Sequence, residues 1–220
     1  MIDLGAINTA ALTGRGLILG EGAGDAYFFA ELCDRHGIAG FAFNWPEADR
    51  VTHTGGIAQY PTFLSGLRSR AGFAGLEALV VTADNDENPA AAFANVQQVL
   101  RDAGFAAPPA PLAFVPDSNL KIGVLMFPAA GKTGALESLL MESSKWPQTK
   151  IDCLSAFTKC SDIDTYAVQK RDKARVQCTI AASFKAQPGR SLSYVWDKAE
   201  NPFDIAHRCF DDIVAFLKSA

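Results

Sequence analysis

Five carboxylates in this 220-residue chain stand where they can gather around one ligand. Glu21 follows an apolar run at 16–20, and Asp25 falls four residues later. That spacing points both acids the same way from the first turn of a helix. Asp84 and Asp86 follow the run at 76–82, and Glu137 follows the run at 122–127. Carboxylates gathered in one crevice repel one another, and either a divalent cation or a raised pKa on one member relieves the repulsion. Mg²⁺ (or Mn²⁺) suits such oxygen ligands and keeps waters for a phosphate substrate. One or two such ions would neutralise phosphate charge, activate water and stabilise a leaving oxygen. The competing readings are bland: a solvated turn at Asp84 and Asp86, helix-dipole complementation at Glu21, and helix-surface acids at Asp25 and Glu137.

Rival motifs fail on the same residues. Asp84-x-Asp86-x-Asn88 begins like a calcium-binding EF-hand loop, but Pro89 stands where glycine is needed and Asn95 where the bidentate glutamate belongs. An aspartyl-phosphate motif needs Thr or Val at Asn88. Gly131-Lys132-Thr133 has Met126 in place of the upstream glycine of a phosphate loop.

The elements that must position these residues follow from periodicity. Residues 16–20 read as a buried strand. Ala26, Phe28, Phe29, Leu32 and Cys33 recur at helical spacing, and Gly37 closes that helix. Strands are expected at 41–43 and 51–54, Gly55-Gly56 breaks the chain, and a helix is expected over 57–70. Residues 76–82 give the clearest buried strand. Asn88-Pro89 is an N-cap and first helical residue for a helix running to 103. Strands at 112–115 and 122–127 and a helix at 134–143 follow. The alternation predicts an α/β fold with a mainly parallel sheet flanked by helices. Ligands of such sheets gather at the carboxyl ends of the strands, where the acids stand. Beyond Lys145 the pattern turns helical, at 151–160, 165–184 and 203–218. Residues 1–144 thus read as an α/β domain and 145–220 as a helical extension packed on it.

Composition is that of an ordinary globular chain, with 49% hydrophobic residues and a net charge of −4. The mild acidity argues against a chain-wide nucleic-acid coat. Charge is divided, however. Residues 1–144 carry 8 basic and 15 acidic side chains, whereas 145–200 carry 10 basic and 6 acidic. Such asymmetry fits a catalytic half and a polyanion-facing half, or simply a solvated helical face. No secretory leader pattern opens the chain, and no apolar run approaches the ~20 residues a bilayer needs. The expectation is a cytoplasmic protein without a membrane partner. Five cysteines without C-x-x-C spacing, and three histidines without ligand spacing, argue against zinc. Trp45, Trp146 and Trp196 suit packing better than base stacking.

Glu21-Gly22 after a strand, Gly55-Gly56 in the middle and Asp84-x-Asp86 after another strand together resemble the TOPRIM domain of topoisomerases, primases and OLD-family nucleases. The resemblance covers about residues 15–127. The whole chain resembles a family of uncharacterised TOPRIM-like bacterial proteins, through Glu21-Gly-x-x-Asp25, Ala83-Asp-Asn-Asp86, the run 121–128, Gly134-Ala-Leu-Glu137 and Asp172-Lys-Ala174. The resemblance implies a TOPRIM-like fold with helices on both sheet faces. It makes Glu21 a metal ligand or general acid/base and Asp84 and Asp86 the metal-binding pair. Asp25 matches the second acid of OLD-like nucleases and Glu137 a later ligand. Lys173 (or Lys170) matches a lysine facing the scissile phosphate, with Lys170, Lys173 and Arg175 as nucleic-acid contacts. There is no gate domain, ATPase domain or active-site tyrosine context, so strand passage is excluded. The implied activity is a stand-alone Mg²⁺-dependent nuclease, with an ATPase or defence-system protein as a possible partner. The alternatives are a silent TOPRIM-like binding module and a nucleotide phosphohydrolase.

Overall fold

Leu17, Ile18 and Leu19 are fully buried, yet they point to opposite sides of one sheet. This is what a continuous apolar run does when both faces are covered. The computed structural model describes residues 7, 11–47 and 56–220. The strand expected at 51–54, and Gly55, lie outside the described residues. Five strands form the sheet: β1 (Gly16–Leu19), β2 (Phe41–Asn44), β3 (Ala78–Asp84), β4 (Phe114–Asp117) and β5 (Leu120–Phe127). Their order is β2-β1-β3-β5-β4, with β4 antiparallel to β5 and the other pairs parallel. The α/β expectation holds.

Helix α1 (Ala23–His36) links β1 to β2, and α2 (Tyr60–Leu67) precedes β3. The chain therefore runs outward from β1 to β2 and returns past β1 to β3. The carboxyl ends of β1 and β3 flank the point where the winding reverses, the place at which open α/β sheets bind ligands. Helix α3 (Pro89–Asp102) joins α2 on one face, over Leu17, Leu19, Leu79, Val81 and Val124. Asn88 caps α3 by accepting from the Ala91 N–H at 3.1 Å.

The other face is covered by α1, α4 (Leu136–Glu142), α6 (Val168–Ser183) and α7 (Asp211–Lys218), with α5 (Gln148–Cys160) joining α4 to α6 in the chain. Phe28 of α1 is the hub of this core. Its ring centroid lies 5.2–6.1 Å from those of Phe29, Phe127, Trp196 and Phe210. Trp196 is thus a core residue. Gly123 of β5 allows Phe114 and Phe216 to stack at 4.4 Å, because a Cβ there would stand 2.6 Å from both rings.

Three expectations need correction. Residues 203–218 are not one helix: α7 starts at Asp211. Phe203 is held extended, since Asn201 Oδ1 accepts from its N–H and the chain pairs with 143–145 through Lys145 N–H to Pro202 O and Asp204 N–H to Ser143 O. The strand placed at 112–115 is Phe114–Asp117, because Leu112 takes a positive φ (59°). Residues 57–70 shorten to a 3₁₀ turn (Gly56–Gln59) followed by α2.

Candidate active site

The sheet brings Glu21 and Asp84 together although 63 residues separate them. β1 and β3 are paired in parallel from Gly16–Ala78 to Leu19–Val81, so both strands end at the same edge. There the Asp84 N–H donates to Glu21 Oε1 at 3.0 Å. Each acid is anchored through one oxygen by the main chain. Asp25 Oδ2 accepts from the N–H groups of Glu21 (2.8 Å) and Gly22 (3.1 Å), filling the amide demand at the start of α1. Asp84 Oδ1 accepts from the Leu136 N–H at the start of α4, at 3.1 Å. Asp84 Oδ2 faces Lys173 Nζ of α6 at 3.8 Å.

The crevice is electrostatically tense. Burial, reinforced by Asp25, pushes the Glu21 carboxyl up to about 7, against the pull of the Asp84 N–H and Lys173. Burial and the Glu137 charge raise Asp25 to about 6. Burial, then Glu21, Asp25 and Glu137, raise Asp84 well above the usual carboxylate range. Glu137 is raised chiefly by burial. Burial works against the Lys173 charge, but Glu137, Asp84, Glu21 and Asp25 outweigh it and raise its pKa. These mutual influences place Glu21, Asp25, Asp84, Glu137 and Lys173 in one neighbourhood.

Asp86 stands at its margin. It is exposed, takes a positive φ (50°), and exchanges both main-chain hydrogen bonds with Gly134. The two acids of the Asp-x-Asp pair thus differ in exposure, Asp84 being half-buried and Asp86 exposed, while the Asp86 charge still adds to the rise at Glu21. Lys170 is exposed on the same side of α6 as Lys173, one turn earlier. Arg175 lies on another side of the helix and pairs with Asp164 at 2.9 Å, so the basic trio is split.

Several residues that spacing does not single out build this site. Ser138 Oγ–H donates to the buried Asp172 at 2.7 Å and ties α4 to α6 beside Lys173. The buried Asn85 donates to the carbonyls of Ala129 and Lys132, both at 2.7 Å, and holds the loop after β5. Tyr60, fully buried, donates its hydroxyl to Thr82 O at 2.6 Å beneath the carboxyl edge. The only local hint was Asp172, inside the motif that also holds Lys173.

The donor set suits a hard divalent cation: every candidate ligand is a carboxylate oxygen, and Glu21 Oε2 and Asp25 Oδ1 make no hydrogen bond among the described residues. Gly56 leaves room beside Glu21, since a Cβ there would sit 3.0 Å from Oε2. Among the described residues, however, no three of these acids bring ligand atoms within 4.8 Å of one another. The Lys173 ammonium supplies the positive charge nearest Asp84.

The mainly parallel α/β sheet thus gathers acids and a lysine at its switch point. Residues 15–220 match the family model described as "Protein of unknown function (DUF3226)". The chain belongs to that family. No curated protein and no solved structure matches it. No helix among the described residues is long and apolar enough to cross a membrane.

Proposed function

We propose that the chain is a Mg²⁺- or Mn²⁺-dependent phosphoryl-transfer enzyme of TOPRIM type that cleaves nucleic-acid phosphodiesters. The observation that carries this reading is the apposition of Glu21, Asp84 and Lys173 at the switch point of the sheet. Glu21 and Asp84, with Asp25 and Glu137 beside them, would hold the cation. When bound, it would neutralise phosphate charge and acidify a water. Glu21, pushed up to about 7 in the metal-free protein, would give up its proton as the cation binds. Lys173 keeps 54% of its side chain exposed, so its ammonium can reach a phosphate oxygen from the rim. Lys170 extends that cationic side along α6.

A second reading, a TOPRIM-like binding module without turnover, is favoured by one observation. Both oxygens of Asp84 already have partners, the Leu136 N–H and Lys173. A Mg²⁺ or Mn²⁺ titration followed by melting temperature, and then a plasmid-nicking assay, separates the two. Metal-dependent nicking supports the enzyme. Failure to cleave DNA, RNA or nucleotides with either metal selects the binding module.

A further inference from the structure

Away from the acid crevice, Glu142, His207 and Cys209 bring ligand atoms within 4.8 Å of one another. We infer that these three residues form a second metal site, one that takes Zn²⁺. A carboxylate, an imidazole and a thiolate suit a borderline-soft ion and not Mg²⁺. Three protein ligands leave one tetrahedral position for water. Glutamate and thiolate together balance the charge of a divalent cation, and the thiol proton leaves to solvent on binding.

The scaffold is already in place. Glu142 ends α4, while His207 and Cys209 lie on and just before the 3₁₀ turn Arg208–Phe210. The two segments are clamped by Lys145 N–H to Pro202 O (2.7 Å), Asp204 N–H to Ser143 O (2.8 Å) and a Ser144–Phe203 bridge. Cys209 Sγ lies 3.7 Å from Leu139 O, one turn before Glu142. Phe210 is fully buried and fixes the turn from below. Binding one ion would draw these ligand atoms closer together, Zn–S being about 2.3 Å and Zn–N about 2.0 Å. Two weak bonds are given up, the first being the Cys209 S–H donated to Leu139 O, which goes with the thiol proton. The Cys209 N–H donates to His207 Nδ1 at 3.3 Å, and ligation by either ring nitrogen displaces it, directly at Nδ1 or by moving the proton there. A bound ion would staple the segment before α7 to the end of α4.

Co²⁺ provides the test, because a cobalt–thiolate charge-transfer band reports sulfur ligation and the all-oxygen crevice produces none. The wild type is expected to develop the band to one equivalent and to lose it when one equivalent of Zn²⁺ is added. Excess Mg²⁺ should leave it intact. The band should vanish in Cys209→Ser, and His207→Ala should weaken binding by at least about tenfold. It should persist in a Cys153→Ser, Cys160→Ser double variant, which removes the two exposed thiols. Circular dichroism of the metal-free variants establishes that they fold, and Glu142→Gln, at an exposed position, gives a second weakened variant should Cys209→Ser misfold. No band in folded wild type, a band surviving in Cys209→Ser, or a band lost with Cys153 and Cys160 overturns the inference.

Discussion

Lys173 Nζ lies 3.8 Å from Asp84 Oδ2, which places an α6 cation against an acid from the last position of β3. The lysine satisfies the crevice when nothing else does, and a divalent cation entering there must compete with it or displace it to the rim.

Lys173→Met tests that arrangement. An ion pair whose lysine is more than half exposed contributes at most about 1 kcal/mol, so urea denaturation should show a stability change no larger than that. Any Mg²⁺-dependent nicking should fall by a hundredfold or more, on the order of 3 kcal/mol of transition-state stabilisation. A variant that nicks at the wild-type rate would remove the lysine from the chemistry.

Asp84→Asn should remain folded, because the amide oxygen can still accept from Leu136 N–H. A neutral amide is a poor magnesium ligand, so cleavage should drop on the order of a thousandfold, and the metal-induced rise in melting temperature should disappear. Nicking unchanged in this variant would trace the activity to a contaminant or another site.

Stability without metal should rise as pH falls from 7 toward 5. Glu21 is raised from 4.5 to about 7 and Asp25 from 3.8 to about 6, so the folded protein holds more protons than the unfolded chain across this range. Their contribution is complete below the unfolded values and is lost as pH climbs through the folded ones. For Glu21 this amounts to about 3 kcal/mol. Urea midpoints from pH 5 to 8 should show the slope, and Glu21→Gln should lessen it, the remainder coming from Asp25, Asp84 and Glu137.

Gly134→Ala should disturb the crevice from a distance. Gly134 has a φ of 128°, and a Cβ would stand 2.4 Å from Ser138 Oγ, the hydroxyl that binds Asp172. The expected loss is about 1–3 kcal/mol of stability. Metal affinity should fall with it, since the Leu136 N–H that orients Asp84 follows two residues later. An unperturbed melting curve and metal response would show that the loop tolerates the side chain.

The parts of the fold that could be read in advance are those whose cause is local. The runs around Leu17–Leu19, Leu79–Val81 and Val124–Phe127 are strands because they are apolar on both faces, and Gly37 ends α1 with a positive φ of 65°. The carboxyl-edge acids follow from those strands. Lys173 beside Asp84, Ser138 bonded to Asp172, and His207 and Cys209 near Glu142 depend on how α4, α6 and the 3₁₀ turn pack, and no local pattern encodes it.

The Phe28 hub has a consequence for synthesis. Its partners Trp196 and Phe210 leave a ribosome well after Phe29 and Phe127 do. Translation delivers the sheet first, at about 5–20 residues per second. The face carrying Ile18, Val80, Leu125 and Phe127 then waits for α6 and α7 to cover it. For several seconds the nascent chain carries an uncovered apolar surface, and a chaperone that binds such surfaces would find this protein a client until α7 appears.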